Sequence, residues 1–320
     1  MKTKLFLLGL LASAMTMAGQ TKNTADSKPE TWYFKLGGSY FMETVATEFP
    51  VVAGQLPNKD IYVNGVLSSR ETITGSFGEG FRSGVTAGYR FSPRVGVEMG
   101  MNYFKSNSKT MVETVGRYIQ TTPFIISVTG KAEGEITAFD LAPALVLFLG
   151  EAKGFEPYTK VGVIIPVHGD LTIETTRAYT TPAGVTNAYT KEEVLPNPTV
   201  GFMAALGTSY KLGKNISVFA ELEYRNFTVS GATKETKEYT ENGVDKLNTP
   251  TNFRDGTYSA NHTDYVEQLN SGSNHYLFNP NNTTPNYATD TTRPNDAMND
   301  ISSYVGISGL GLTLGLKYSL

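Results

Sequence analysis

Ten charged residues occupy positions where an alternating strand pattern would place them all on one side of a sheet. They are Lys35, Arg82, Arg90, Glu98, Asp140, Lys160, Glu221, Glu223, Arg225 and Lys317. If the apolar side of each strand faces outward, these charges lie inside a barrel and must be paired or hydrated, because an unpaired buried charge costs several kcal/mol. We interpret the set as a structural salt-bridge plug, and a narrow or gated ion path through the same charges is the alternative.

Residues that could support catalysis or metal binding are sparse by comparison. The histidines of the chain are His168, His262 and His275. None of them has a spacing to serine and carboxylate residues that singles out a catalytic triad. Asp290, Asp296 and Asp300 lack the Asp-x-Asp-x-Asp-Gly spacing of a calcium-binding loop. We therefore predict no enzyme, no catalytic residue, no metal and no cofactor, and a lipid-modifying enzyme that uses His168 is the least favoured alternative.

The C-terminal stretch shows most clearly which elements would position the charges. Residues 309–320 read GLGLTLGLKYSL, in which leucine and tyrosine alternate without a break against glycine, threonine, lysine and serine. A strand here puts every large apolar side chain on one face. A leucine row at the edge of a soluble sheet would invite aggregation, whereas a lipid bilayer would cover it.

Seven further segments alternate in the same way, at about 32–42, 81–91, 95–104, 136–149, 157–168, 200–210 and 216–225. The links after the odd-numbered segments are long, at about 43–78, 105–134, 169–196 and 230–302, and the other links are short. Transmembrane barrels combine short periplasmic turns with long extracellular loops in this way. The pattern predicts an all-β, up-and-down antiparallel transmembrane β-barrel of eight strands, or ten if the longest link adds a hairpin. Pro143 predicts a bulge in the fourth segment.

The N-terminus and the composition indicate an exported membrane protein. Lys2 and Lys4 precede an apolar run, residues 5–17, and small residues follow it, as in a cleaved secretory signal peptide. We predict a signal peptide at 1–20, a periplasmic segment at 21–30 and the barrel at 31–320. The run is shorter than the ~20 residues of a spanning helix. The net charge of −3 gives no reason to propose nucleic acid, and the absence of cysteine removes disulfides and thiolate sites.

Aromatic residues cluster at both ends of the predicted strands. Those toward the short links are Trp32, Phe34, Tyr89, Phe91, Tyr210 and Tyr318, and those toward the long links are Tyr40, Phe81, Tyr103 and Tyr224. Aromatic girdles lie at the two interfaces of a membrane, where amphipathic rings sit at headgroup depth. We predict such girdles here, and a carbohydrate-binding platform is the less favoured interpretation.

The signal peptide, the eight alternating strands, the loop parity and the GLGLTLGLKYSL terminus together resemble the eight-stranded outer-membrane barrels of Gram-negative bacteria, the OmpA transmembrane-domain and OmpX-like group. The resemblance covers nearly all of residues 32–320 and carries no catalytic motif. It implies a location in the outer membrane, contact with outer-membrane lipid and lipopolysaccharide, and recognition of the last strand by the barrel-assembly machinery. The chain ends at that strand, so the periplasmic peptidoglycan-binding domain of the OmpA type is not expected.

Function must be argued from sites, because one fold hosts many functions. Loops on a rigid scaffold are where binding usually resides. We therefore predict a structural and surface-interaction protein whose long polar loops contact a host or another surface ligand. A narrow or gated channel for ions or small solutes is the alternative.

Overall fold

The structure is a computed structural model that describes residues 32–120, 125–197, 199–278 and 293–320. The predicted signal peptide at 1–20, the segment at 21–30 and Asp290 lie outside the described residues. Among the residues that are described, no helix is long and apolar enough to cross a membrane.

Nineteen strands make up most of the described chain. In chain order they are β1 (Trp32–Glu43), β2 (Thr47–Glu48), β3 (Asn58–Val63), β4 (Val66–Thr72), β5 (Thr74–Gly75), β6 (Gly80–Arg90), β7 (Val95–Ser106), β8 (Lys109–Gln120), β9 (Ile125–Phe148), β10 (Phe155–Thr181), β11 (Gly184–Asn197), β12 (Gly201–Lys211), β13 (Ile216–Asn226), β14 (Thr228–Glu241), β15 (Val244–Asp245), β16 (His262–Val266), β17 (Met298–Ile301), β18 (Tyr304–Gly306) and β19 (Gly309–Ser319). A short helix, α1 (Tyr258–Asn261), precedes β16, and a 3-10 turn (Tyr276–Phe278) follows it.

Eight of these strands close into an antiparallel barrel. The ring order is β1, β6, β7, β9, β10, β12, β13 and β19, and β19 pairs back onto β1 from Tyr33↔Ser319 to Glu43↔Gly309. Short turns join β6 to β7, β9 to β10 and β12 to β13 at one end of the barrel, here called the short-turn end. The structure confirms the predicted eight-stranded barrel, and the ten-strand alternative is wrong because the additional strands do not enter the ring.

Side chains of the barrel strands alternate between the outside and the inside, since successive side chains of a strand point to opposite faces. In β19, Leu312, Leu314 and Leu316 are exposed on the outside, whereas Thr313 and Lys317 are buried inside. An aliphatic exterior around a polar interior is the pattern of a barrel whose outer face contacts lipid.

The segments predicted as long loops contain strands that continue the barrel wall. Beyond the barrel, β10 pairs with β9 from Gly169↔Ala138 to Thr180↔Ser127. The outer part of β9 pairs with β8, the outer part of β10 pairs with β11, and β11 pairs with β14. β3 lies parallel to β8, and β16 lies antiparallel to β14. We call this assembly the crown: β2 to β5, β8, β11, β14 to β18, α1 and the outer parts of β9 and β10.

A buried apolar layer separates the barrel interior from the crown. This mouth cluster consists of Phe41, Phe49, Val52, Phe77, Phe104, Met111, Val112, Ala132, Ile136, Leu171, Ile173, Val194, Phe227, Val229, Val305 and Ile307. Its members come from strands and connections around the whole ring, so they cover that end of the barrel. Phe41 forms the boundary, because its ring lies 6.4 Å from the ring of Phe104 and 4.9 Å from the guanidinium of Arg82 in the barrel interior.

One irregularity in the barrel wall lies on β10. The register of β10 against β9 shifts between Pro166 and His168. Pro143 pairs in register with Met99 of β7, and the β10 pairings on either side of it keep one register, so the predicted bulge at Pro143 is wrong. Pro166 lacks the N–H that a ladder requires and interrupts it instead. β10 pairs with β12 up to Ile164, before this bulge, and with β11 from Leu171, after it.

Candidate functional site

The barrel interior, or lumen, holds a network of buried charges at its centre. Lys35 Nζ lies 2.6 Å from Glu98 Oε1 and 2.9 Å from Glu221 Oε1. Lys160 Nζ lies 2.6 Å from Glu221 Oε2 and 3.5 Å from Glu98 Oε2. The four side chains come from β1, β7, β10 and β13, each of which directs alternate residues inward. Two ammonium groups and two carboxylates therefore neutralise one another across the barrel.

A second group of ion pairs lies toward the crown. Arg82 on β6 donates from Nη1 and Nη2 to the two carboxylate oxygens of Glu223, at 2.7 and 2.6 Å. Arg225 Nη2 donates to Asp140 Oδ2 at 2.5 Å, and Asn102 Nδ2 donates to the other oxygen of Asp140 at 2.8 Å. Bidentate arginine–carboxylate pairs are among the strongest hydrogen-bonded pairs in proteins. This layer is consequently neutral and geometrically fixed.

A third group lies toward the short-turn end and is centred on Glu156. Arg90 Nη2 donates to Glu156 Oε1 at 2.6 Å, and Lys317 Nζ donates to Glu156 Oε2 at 3.5 Å. The guanidinium of Arg90 also lies 3.7 Å from the centre of the Phe148 ring. Sequence reasoning missed Glu156 because it started the fifth strand after this residue. The alternation itself would have found it, since Glu156 has the same parity as Lys160.

The structure buries all ten predicted interior charges, none more than 8 % exposed, and places each within ion-pair distance of an opposite charge. Two aromatic side chains that the sequence reasoning did not assign to the network complete it. Tyr33 OH donates to Glu98 Oε1 at 3.0 Å, and Tyr158 OH donates to Glu221 Oε1 at 2.7 Å. Their parity with inward residues was the available signal.

Little free volume remains inside the lumen. The cavity among the network side chains measures about 40 Å³, whereas one water molecule occupies about 30 Å³ in the liquid. Within the described chain, three buried atoms at this level have no hydrogen-bond partner: Glu98 Oε2, Arg225 Nε and Thr313 Oγ1. The arrangement can hold a water-sized group, and it offers no space for a larger solute.

The aromatic residues predicted as girdles lie on the outside of the barrel at two levels. At the short-turn end, Trp32 stacks at 4.9 Å on the ring of Tyr89, and Phe34 pairs with Tyr318. Phe91 and Tyr210 belong to the same level, and Tyr40, Phe81, Tyr103 and Tyr224 form the level next to the crown. These residues are exposed or half-buried on the outer face.

The histidines do not assemble a catalytic site. His168 is exposed in the β10 bulge and lines an apolar cavity of about 220 Å³ together with Asp170 and Ser230. Asp170 accepts a hydrogen bond from a neighbouring threonine, and within the described chain His168 has no hydrogen bond to either residue. A nucleophile, base and orienting group within hydrogen-bond reach would be the mark of a triad. In the crown, His262 stacks on a tyrosine and His275 is buried.

A closed barrel with an aliphatic exterior, two aromatic levels and a polar lumen of ion-paired side chains defines a transmembrane β-barrel. The chain belongs to the outer membrane protein beta-barrel domain family, whose family model matches residues 5–248. Membership in this family implies a location in the outer membrane.

Solved structures that are similar to the chain include one protein from Pseudomonas aeruginosa and one from Yersinia pestis. One is the outer membrane protein OprG from Pseudomonas aeruginosa, with 11 % sequence identity, coverage of 92 % of this chain and 97 % of that chain, and a TM-score of 0.41. The other is Ail, the attachment invasion locus protein of Yersinia pestis, with 8 % identity, coverage of 91 % and 99 %, and a TM-score of 0.30. Among curated proteins, none matches the chain.

Proposed function

We propose that the chain is a structural and surface-interaction protein of the outer membrane whose crown contacts a partner outside the cell. The lumen supports this proposal because it contains little free space and its crown end is covered. Each of its charges lies within ion-pair distance of an opposite charge, its cavity measures about 40 Å³, and the mouth cluster covers its crown end. The crown is then the part of the molecule with surface available for binding.

An exposed apolar patch at the far end of the crown is the observation that carries the proposal. This tip patch consists of Val63, Val66, Leu67, Tyr118, Ile119 and Ile125, each at least 41 % exposed. Contiguous exposed apolar side chains on a soluble surface mark interaction sites. The patch therefore offers a partner several large apolar side chains on a rigid sheet.

Two hairpins form the tip patch, and their contacts fix its shape. β3 runs parallel to β8, with Ile61 opposite Val115. Tyr118 packs against Gly65 of the β3–β4 turn, where an added Cβ would lie 2.4 Å from the ring. Gly65 has a φ of 78°, which glycine adopts without steric cost. The glycine thus allows both the turn and the close approach of the aromatic ring.

The tip patch lies well away from the membrane. β8 begins at Lys109, whose ammonium pairs with Glu43 at the barrel rim, and its other end is at the patch. At about 3.3 Å per residue, the 12 residues of β8 span roughly 40 Å. Lipid cannot cover apolar side chains at that distance, so we infer a protein partner with an apolar surface.

We further propose that the barrel exterior contacts outer-membrane lipid and lipopolysaccharide, and that the assembly machinery recognises β19. The exposed row of Leu312, Leu314 and Leu316 supports both proposals, since it presents a continuous apolar ridge on the last strand. Replacing Leu314 with aspartate should reduce the yield of assembled barrel in outer-membrane fractions, whereas Thr313→Ser, which keeps an inward hydroxyl, should leave the yield unchanged.

Adherence of a non-adherent Gram-negative strain that expresses the full chain tests the surface function. We expect binding to epithelial monolayers or to immobilised matrix proteins, and a several-fold loss on replacing Val66, Leu67 and Ile119 by serine. Val185→Ser is the control for loss of an exposed apolar side chain, because Val185 is 54 % exposed on the β10–β11 hairpin outside the patch. Surface abundance of each variant is measured in parallel. Equal adherence of patch and control variants would contradict the proposal.

The alternative function, a narrow or gated channel, has one observation in its favour. Glu98 Oε2, Arg225 Nε and Thr313 Oγ1 are buried without hydrogen-bond partners among the described residues, beside a water-sized cavity. Rearranged pairs could use these atoms and open a path. Opening would also require displacing the mouth cluster, which is why we place the surface function first.

A further inference from the structure

The crown encloses a cavity of its own, of about 90 Å³. Along β10 the inward side chains are first those of the mouth cluster and then Thr175, Arg177 and Tyr179, which line this cavity. The facing walls come from β11, β14 and the segment 253–263. The volume corresponds to about three water molecules, so the cavity has room for a small ligand group that the lumen lacks.

In the described part of the chain, the wall contains three cations and one carboxylate, and a single ion pair joins the carboxylate to one of the cations. Lys234 Nζ lies 2.9 Å from Glu192 Oε1. Burial raises the pKa of the Glu192 carboxyl, but Lys234, and more weakly Arg177 and Arg254, outweigh burial and hold the pKa below its ordinary value. Glu192 is therefore ionised and committed to Lys234.

The two arginines remain without a matching negative charge. Among the described residues, Arg254 donates to neutral acceptors only: Thr236 Oγ1 at 3.2 Å and the carbonyl oxygens of Leu247 and Ala260 at 3.1 and 2.7 Å. Arg177 has neither a hydrogen bond nor an ion pair within the part of the chain that is described. The nearby carboxylate of Asp255 accepts hydrogen bonds from the residue Thr257. The cavity thus carries an excess of positive charge.

An independent observation also points to a ligand in this cavity. Thr175 is 4 % exposed, and its Oγ1 has no hydrogen-bond partner among the described residues. Leaving a buried hydroxyl unsatisfied costs stability, and such groups usually have a partner. Part of the cavity wall is aromatic, because the ring of Tyr179, on the same face of β10 as Thr175, stacks at 3.9 Å on the ring of Phe253. A hydroxyl donor, guanidinium groups and a flat apolar wall surround one small space.

We propose that the crown cavity binds a small oxyanion, a carboxylate or phosphate group, held by the guanidinium groups of Arg177 and Arg254 and the Thr175 hydroxyl. Arginine matches the geometry of both oxyanions, and hydrogen bonds between ions are stronger than those between neutral groups. The inference rests on the proposed function in one respect, because a surface partner could supply the oxyanion. Calorimetry measures anion binding to the crown cavity, whereas the adherence experiment measures binding through the tip patch. Either result can therefore be negative while the other is positive.

Isothermal titration calorimetry of the refolded barrel in detergent micelles tests the site, with sodium phosphate and sodium acetate as separate probes. Sodium chloride at matched ionic strength serves as the reference for screening. We expect saturable binding of phosphate, acetate or both, and no saturable binding of chloride. Comparing the two oxyanions shows whether the site prefers phosphate or carboxylate. Arg177→Ala should weaken binding about tenfold or more, as expected when a hydrogen bond between charged groups is lost.

Two further variants keep the test decisive. Lys191→Ala removes the same charge from the outer face of β11, beside buried Glu192, and should bind like wild type. Thr175→Val preserves the charge and shape and removes the hydroxyl, so it should bind several-fold more weakly even if Arg177→Ala does not fold. Folding is checked by heat-modifiable gel migration. No saturable binding, or equal weakening by Lys191→Ala, would overturn the proposal, and water is then the occupant.

Discussion

The lumen and the crown cavity are both polar spaces enclosed by β-strands, but they balance charge in opposite ways. The lumen contains six basic and, with Glu156, five acidic side chains, and each is paired. The crown cavity contains three basic side chains and a single carboxylate, which Lys234 neutralises. The lumen has a cavity of about 40 Å³ and the crown one of about 90 Å³.

This difference shows what each region is built for. Buried charges that are all engaged in ion pairs fix the shape of a barrel and leave little room for an added ion. Half-buried cations that outnumber the counter-charges raise the energy of an empty site, so an anionic ligand gains their interaction when it binds. The mouth cluster keeps the two regions apart, because a buried apolar layer separates the charges on one side from those on the other.

Removing one carboxylate from the ion pairs of the lumen should have the largest effect on stability. Glu223→Ala leaves Arg82 buried without its two-pronged partner, and breaking a buried pair costs about 3–5 kcal/mol. We expect the free energy of unfolding in urea, followed by tryptophan fluorescence and gel migration, to fall by that amount. Glu135→Ala, which removes an exposed partner of Lys105 at the rim, should change it little. Similar losses in both variants would contradict a lumen held together by buried pairs.

Loosening the mouth cluster tests whether the barrel and the crown are separate units. Phe77 is fully buried and its ring lies 5.1 Å from that of Phe49. Phe77→Ala should destabilise the crown by about 3 kcal/mol through the cavity it creates. Hydrogen exchange should quicken in β8, β11 and β14 while the barrel strands keep their protection. Equal acceleration in both regions would mean that they unfold together.

A smaller effect should appear in the pH dependence of the crown. The folded-state pKa of Glu192 lies below its ordinary value of 4.5, so its pairing with Lys234 stabilises the fold fully above pH 4.5 and is lost as the pH falls through the lowered pKa. Glu192→Gln should therefore weaken the hydrogen-exchange protection of β11 and β14 at pH 7. The difference from wild type should shrink at pH values below the lowered pKa, and a constant difference would contradict the assignment.

The barrel was predictable from the sequence because lipid imposes a simple pattern. Most outward positions are apolar, so strands such as β13 and β19 alternate regularly, and the inward charges follow from parity. The crown strands face water outside, where no such rule applies. β14 reads TVSGATKETKEYTE and pairs with β11 along its length, yet its threonine and charged residues resemble a polar loop.

The crown cavity could not be predicted from the sequence, for a related reason. Thr175 and Arg177 lie on β10 and Glu192 lies on β11, and the register of these two strands brings the three residues to one cavity. Arg254 comes from a connection with little regular structure. Nothing in the spacing of these residues indicates that they share a cavity, whereas the lumen charges share a single parity within eight recognisable strands.

Planar-bilayer recording of the refolded protein without residues 1–20 tests the central claim, that the lumen is closed and the crown provides the functional surface. After gel migration has shown that the barrel is folded, we predict a silent membrane in the wild type at potentials that leave the bilayer intact. Discrete openings whose conductance changes when Glu221 or Arg225 is neutralised would contradict the claim and make the lumen charges a pathway.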